Sequence, residues 1–335
     1  MHAIAYDNDL FQRSNTQLKM IDVPTPEASG HDLLVEVRAV SVNPADLKVR
    51  AGAQPSPGDY RILGFDAAGV VMAVGDACSY FQPGDAVYYA GAIHRPGSNA
   101  QYQLVDERIV AHKPLSLDFA AAAALPLTAL TGYEMLFDRL QVQHREENAD
   151  QLLIIGGAGG VGSMTIQLAR QLTPLQITAT ASQPENVEWC RSLGAHNVVD
   201  HQKVLSELTE TGELSIPNFV FCTTHADYYG PQLAELMAPQ GRLGLIDDPQ
   251  QFDIVPFKRK SISVHWEFMF TRSMFTTPDI TKQRKILTEV AELVDAGKVR
   301  HTATKIFHGF NESTFAAAYA LIVEGHHHGK VVVAF

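Results

Sequence analysis

The hydrophobic and polar positions divide the chain into two textures. Up to about residue 124 the apolar positions fall in short β-type runs, at 33–40, 67–74, 85–89 and 100–105, separated by Pro-Gly and Gly-Asp turn signals. That pattern predicts a compact, mostly antiparallel barrel. From residue 116 the spacing turns helical, with an alanine-rich helix over 116–125, then Pro126, then a helix over 129–139. Beyond residue 150, strands (152–155, 176–181, 197–199, 218–222, 241–246) alternate with helices (185–193, 229–237), which predicts a parallel sheet with right-handed crossovers. A helix over 278–296, a strand over 302–307, a helix over 311–324 and a strand over 330–335 are expected to return to the first domain. The predicted division is 1–125, completed by 271–335, around an inserted 126–270.

One segment of the alternating region carries recognisable chemistry. The apolar run Leu152 to Ile155 leads into Gly157, Gly159 and Gly162, spaced as G-x-G-x-x-G, and then into an amphipathic helix marked by Met164, Ile166, Leu168, Ala169 and Leu172. Strand, glycine turn and helix together predict a dinucleotide phosphate cradle. The first glycine is assigned the tight turn, the second a close backbone approach to pyrophosphate, and the third close helix–strand packing. Gly160 and Val161 open the helix, whose free N–H groups and dipole favour phosphate. An NAD-preferring cradle places an acid about 20 residues further on. That slot falls near Ala181, so a 2′-phosphate is not repelled, Ser182 is a donor for it, and NADPH is favoured over NADH. Cys222 and Ile246 are further cofactor candidates.

Composition narrows the function classes. The chain has 335 residues, 46% hydrophobic and 19% charged, with a net charge of -11. No basic run exceeds Lys258-Arg259-Lys260, read as a solvated loop, so neither nucleic acid nor an anionic membrane is an expected partner. No stretch was expected to reach the roughly 18 apolar residues of a membrane span, and no signal peptide is read at the N-terminus, so a cytoplasmic protein is expected. Cys78, Cys190 and Cys222 are widely spaced and read as small buried hydrophobes. His326-His327-His328 reads as a solvated loop rather than a metal site, and no G-x-S-x-G elbow supports hydrolase chemistry.

Several further motifs lie in order along the chain: Ser41-Val42-Asn43-Pro44-Ala45-Asp46, Gly64-Phe65-Asp66-Ala67-Ala68-Gly69, Pro83-Gly84-Asp85-Ala86-Val87, Gly97-Ser98-Asn99-Ala100-Gln101-Tyr102, Ala124-Leu125-Pro126-Leu127-Thr128-Ala129 and Gly329-Lys330-Val331-Val332. With the glycine loop, they resemble the medium-chain dehydrogenase/reductase superfamily, most closely its quinone-oxidoreductase and zinc-type alcohol dehydrogenase-like branch. The segment from His265 to Phe275 resembles one zinc-type subfamily. The resemblance implies an α/β chain: a GroES-like β-barrel catalytic domain plus an inserted Rossmann domain with a doubly wound parallel sheet. It implies cofactor contacts at Thr131, Asn186, His201 and Lys330, and a homodimer paired through a sheet edge at 261–266. In zinc enzymes of this superfamily the catalytic ligands fall at positions occupied here by Asn43, Phe65 and Leu127, and the proton-relaying hydroxyl falls at Ala45. An amide, a ring and an alkyl chain do not form a zinc site, so no metal is expected.

Hydride chemistry without a Lewis acid suits conjugate reduction of an enone or a quinone, because hydrogen-bond donors suffice for the delocalised oxyanion. The substrate-side candidates are Asn43, Asp46, Tyr60 and Tyr89, with Thr131 near the nicotinamide and Phe268 and Phe270 as apolar walls. Each has a structural alternative: Asn43-Pro44 as a turn starter, Asp46 as a helix cap, the aromatics as core. Asp66 is read as a structural hydrogen-bond acceptor. Two functional alternatives stay open, a zinc-type alcohol dehydrogenase and a non-catalytic NADPH-binding redox sensor.

Overall fold

A computed structural model describes residues 1–14, 16–142, 150–200, 202–203, 205–325 and 327–335. The chain forms two compact units, Met1–Leu130 with Phe270–Phe335, and Thr131–Met269.

The first unit is built on antiparallel sheets. Strands order as Ala303–His308, Lys330–Ala334, Asp32–Val42, Ala67–Val74, Ala86–Tyr89 and Val110–His112, and Tyr102–Asp106 also pairs with Asp32–Val42. A three-stranded sheet sets His2–Asp7 between Lys19–Asp22 and Tyr60–Ile62. The long strand Asp32–Val42 alternates buried and half-buried positions, as a sheet with one face on the core requires. The C-terminal strand Lys330–Ala334 pairs antiparallel with it, Val331 opposite Val42, and parallel with Ala303–His308. Residues 1–22 form two strands and a helix, Asn8–Arg13, that the hydrophobic pattern did not announce. Helix Glu312–Glu324 starts on an Asn311 cap, whose Oδ1 accepts from Thr314 N at 3.0 Å, and ends at Gly325, φ 69°.

The second unit is a six-stranded parallel sheet. Its order is Asn197–Val199, Gln176–Thr180, Gln151–Ile155, Phe219–Cys222, Arg242–Leu245 and Ser263–Trp266, which in local numbering is 3-2-1-4-5-6, the doubly wound dinucleotide-binding arrangement. Strands Gln151–Ile155 and Phe219–Cys222 are buried along nearly their whole length, as a sheet covered on both faces demands. Leu153, Val220, Leu243 and Phe257 belong to one core cluster of this unit.

Three expectations need correction. The segment Phe119–Arg139 is long and apolar enough by length and composition to cross a membrane, but 83% of its apolar window is buried inside the structure. It is core packing, interrupted between helices Phe119–Ala123 and Pro126–Glu134. The predicted helix over 129–139 widens after Glu134 into a π-helical turn, Met135–Arg139, where Leu140 N donates to Met135 O at 2.8 Å. Of the three cysteines, Cys190 and Cys222 are buried, whereas Cys78 is only half-buried. The basic triplet closes a 3₁₀ turn, Val255–Lys260, with Lys260 Nζ donating to the carbonyls of Glu235 and Met237. His326 lies outside the described residues; His327 and His328 are half-buried.

Within the second unit, Glu134 at the π-helical turn and Glu267 just past the last strand are buried carboxyls in hydrogen-bond contact, and Arg139 Nε donates to Glu267 Oε2 at 2.7 Å. Two touching carboxyls share a proton. Burial, then the charge of Glu134, pushes Glu267 up to about 8, while Arg139 opposes the shift. The folded state therefore holds a proton that the unfolded chain releases near pH 4.5, so stability falls as pH rises from there through about 8. Thermal melts from pH 5 to 9 are expected to show a shallower decline for Glu267→Gln than for the unmodified chain; parallel declines would show that the shared proton carries no stability.

Candidate functional site

The glycine loop follows directly from the first strand of the parallel sheet. Gly156, φ 79°, makes the left-handed turn, a conformation L side chains rarely adopt. The tight-turn role read at Gly157 therefore belongs to Gly156. A Cβ on Gly156 would also collide with Thr223 Oγ1. At Gly157 the constraint is packing, because a Cβ would lie 2.6 Å from Ala179 Cβ and 3.2 Å from Cys190 Sγ. At Gly162 a Cβ would collide with the Gly156 carbonyl and come within 2.8 Å of Gly157 Cα, so helix and loop touch backbone to backbone. Gly159 is different: it is exposed, and a Cβ there would meet only the Gly156 carbonyl, at 3.5 Å. Its missing side chain leaves the backbone open to an incoming group. Helix Gly160–Leu172 begins on Gly159 with no side-chain cap, so Gly160, Val161 and Gly162 present the positive end of its dipole.

Two threonines that the motif reading passed over hold the turn. Thr180 Oγ1 accepts from Gly156 N at 3.0 Å, and Thr223 Oγ1 donates to Ile155 O at 2.8 Å. Their signal in the sequence is position alone, at or just past the ends of the strands flanking the loop. Ser182 and Asn186 are half-buried, beyond the end of the second strand and in the first turn of helix Pro184–Ser192. Ile246 is half-buried just past strand Arg242–Leu245. Cys222 is fully buried; its thiol donates to Thr224 O at 3.1 Å and burial pushes it up to about 12, which makes it core rather than a surface for cofactor. Thr131 is buried near the end of helix Pro126–Glu134. His201 lies outside the described residues. Ser163 is buried, donating to Ala158 O at 3.1 Å and accepting from Trp189 Nε1 at 2.8 Å.

In the first unit, two of the four substrate-side candidates, Asn43 and Asp46, turn out to be structural. Asn43 is the cap of helix Pro44–Gly52, and Asp46 Oδ2 reaches back to accept its N–H at 2.8 Å. The Asn43 amide Nδ2 donates to Ser41 O at 3.1 Å and to Asp66 Oδ2 at 3.0 Å, and its Oδ1 accepts from Lys330 Nζ. Asp46 Oδ1 accepts from Gly64 N at 2.8 Å, and its carboxyl also contacts Tyr319, whose hydroxyl accepts from Asn99 Nδ2 at 3.0 Å. Burial pushes Asp46 up to about 7 against these donors. Asn43 and Asp46 are thus corrected to the cap alternatives: both side chains are buried and each of their polar atoms already has a partner within this unit.

Lys330, assigned to the cofactor by resemblance, is buried instead inside this unit. Its ammonium donates to Asn43 Oδ1 and Val42 O, and lies 3.1 Å from Asp66 Oδ2. Asp66 Oδ1 accepts from Leu127 N at 2.7 Å, so Asp66 is the structural acceptor expected. Burial raises its pKa; Lys330, Asn43 and the Leu127 N–H pull the other way. Tyr89 is buried, and its hydroxyl has no hydrogen-bond partner among the described residues. Burial raises that phenol well above its ordinary value. Tyr60 is exposed at 47% on strand Tyr60–Ile62, beside a separate cavity. Phe270 is core, edge-on to Phe65 with ring centres 5.4 Å apart, whereas Phe268 is half-exposed.

The three positions where zinc relatives hold metal contribute an amide engaged on both its atoms, a ring packed edge-on against another ring, and a backbone N–H donor. None offers the N, S⁻ or carboxylate lone pair that zinc requires. Among the described residues no cluster of three His, Cys, Asp or Glu has metal-binding geometry.

Residues 29–115 match the alcohol dehydrogenase GroES-like domain, and residues 193–333 match the zinc-binding dehydrogenase family. A zinc-type alcohol dehydrogenase-like protein of Staphylococcus aureus is 38% identical over 314 residues, covering 92% of either chain. A Rhizobium etli chain named for zinc-dependent alcohol dehydrogenases superposes with a TM-score of 0.94 at 50% identity, covering 100% of this chain and 98% of that one. The quinone oxidoreductase of Coxiella burnetii superposes at 0.80 with 27% identity, over 100% and 99%. Its antiparallel barrel unit, its 3-2-1-4-5-6 parallel sheet and these matches across nearly the whole length together make the chain a member of the medium-chain dehydrogenase/reductase superfamily, an oxidoreductase of the branch shared by quinone oxidoreductases and zinc-type alcohol dehydrogenase-like proteins.

Proposed function

We propose that this chain is a zinc-independent, NADPH-dependent reductase that delivers hydride to a quinone or an α,β-unsaturated carbonyl. The observation that carries this reading is the donor set at the zinc positions, where Lys330 and Asp66 engage both atoms of the Asn43 side chain and neither Phe65 nor Leu127 offers a ligand atom. The glycine cradle fits a dinucleotide, because the backbone at Gly159 is open while Gly156, Gly157 and Gly162 are closed to any side chain. When bound, the nicotinamide supplies the hydride; the protein supplies orientation and hydrogen bonds. The first turn of helix Gly160–Leu172 holds the pyrophosphate, and the absence of a carboxylate at Ala181, with Ser182 next to it, admits a 2′-phosphate.

Reduction at the β-carbon of an enone, or of a quinone, leaves charge on oxygen that hydrogen-bond donors can stabilise without a metal. With Asn43 and Asp46 committed to structure, we assign Tyr89 the donor role. Its phenol is held protonated by burial and its hydroxyl is unengaged. Strand Ser263–Trp266, at the edge of the parallel sheet with Trp266 exposed, is the surface we assign to a homodimer.

Loss of NADPH absorbance is expected with ortho- and para-quinones or alkenals on metal-analysed protein, unchanged by chelator. Turnover confined to simple alcohols or ketones and abolished by chelation would establish a zinc enzyme instead, and NADPH binding without any turnover would establish a sensor. Tyr89→Phe is expected to lower kcat by about tenfold or more with NADPH affinity unchanged, as loss of an oxyanion hydrogen-bond donor does; an undiminished kcat removes Tyr89 from the chemistry. Gly160→Asp is expected to abolish NADPH binding in a fluorescence titration while the melting transition is retained, since a carboxylate there repels phosphate; retained affinity would displace the cradle from this loop.

A further inference from the structure

The first unit holds a cavity of about 330 Å³ that plays no part in the hydride chemistry proposed above. Its size is within the range of small-molecule sites, roughly 300 to 1,000 Å³. Val23, Pro26, Ile62 and Leu104 supply apolar wall, and Tyr60 and Tyr102 add two rings. The charged side chains on the lining are Arg61 and Arg95, and His94 lines it too; no acid does among the described residues, in a chain whose net charge is -11. A local excess of positive charge inside an acidic protein selects for anions.

The two arginines are not equivalent. Arg95 is neutralised by a two-pronged ion pair with Asp32, at 2.7 and 2.8 Å, and acts as scaffold. Arg61 is half-buried and makes a single hydrogen bond, from Nη2 to Ile93 O at 3.1 Å; no carboxylate pairs with it among the described residues. Strand pairing fixes its position, opposite Tyr6 on the first strand. Gln103 Nε2 donates to Pro96 O at 3.0 Å and holds the loop that carries His94 and Arg95 against the barrel. A guanidinium in a fixed place, held by one carbonyl and facing apolar walls, matches the fork geometry of a carboxylate.

We propose that this cavity binds a small amphipathic carboxylate, its anionic head on Arg61 and its apolar or aromatic body against Val23, Pro26, Tyr60, Ile62 and Leu104. The site is independent of the nicotinamide reading, since every lining residue belongs to the first unit and none to the glycine loop.

The probes are 3-phenylpropanoate and hexanoate, each paired with its neutral amide, titrated calorimetrically into the full chain at low salt with and without NADPH. Saturable one-to-one binding of an acid is expected, unchanged by NADPH. Its amide is expected to bind about tenfold or more weakly, because it forfeits a charge-assisted pair. Arg61→Met is expected to lose at least as much affinity, with Arg61→Lys between the two, since a point charge replaces the fork. The proposal is overturned if neither acid saturates, if acid and amide bind alike, or if a folded Arg61→Met chain keeps the affinity of the original. The acid–amide comparison uses unmodified protein, so the test stands even if the arginine variant fails to fold.

Discussion

The first unit depends on one buried cation. The Lys330 ammonium joins the C-terminal strand to the carbonyl of Val42, to Asn43 and to Asp66, and Asp66 passes the connection on to the start of helix Pro126–Glu134 through Leu127 N. Four stretches far apart in sequence meet at one charge. Taking a lysine and an aspartate out of water is unfavourable, and their attraction offsets this only when the remaining lone pairs and N–H groups are satisfied. Here they are met by Asn43, Val42 and Leu127. Removing one member of such a pair typically costs about 3–5 kcal/mol, because the other is left buried and uncompensated. Chemistry and architecture therefore compete for Asn43: its side chain is buried and both its polar atoms are engaged in this network.

The second unit rests on a different constraint, the absence of side chains. Its loop needs three glycines for three reasons: conformation at Gly156, contact with Ala179 and Cys190 at Gly157, and backbone contact at Gly162. Gly159 is free of such internal demands, and there the gain is outward access. The distinction separates glycines that build the cradle from the one that serves what enters it. Thr180 and Thr223 lock the turn by hydrogen bonds from neighbouring strands, so its shape is set before any ligand arrives.

How much was legible in the sequence follows from the range of the interactions involved. The parallel sheet was visible because each strand and helix shows its own periodicity, and strand 197–199 matches the observed Asn197–Val199. The glycine loop was visible as a local pattern, although the turn fell one residue earlier because φ is not encoded in spacing. The N-terminal strands were missed: Lys19–Asp22 alternates half-buried and exposed positions and carries little apolar signal. The network around Lys330 was hidden for a deeper reason: nothing local announces that Asp66 and Asn43 converge on it from more than 260 residues away. Asn43 and Asp46 fell to their cap alternatives because the capping arrangement is local, whereas a substrate contact is not. The unpaired state of Arg61 was invisible for the same cause, since it depends on which acids the fold brings near.

The first unit is also assembled from both ends of the chain, and this bears on how it comes into being. Ser41 Oγ donates to Val331 O across 290 positions of sequence, at 3.1 Å. Until strand Lys330–Ala334 has been made, only Tyr102–Asp106 lines that edge of strand Asp32–Val42, so its Ala39–Val42 end has no neighbour there and Asp66 has no lysine to be buried with. The contiguous stretch Thr131–Met269 carries no such debt to later sequence, since all six of its strands emerge together. Synthesis from the N-terminus thus leaves an open sheet edge exposed through most of translation, the kind of surface that pairs with another chain.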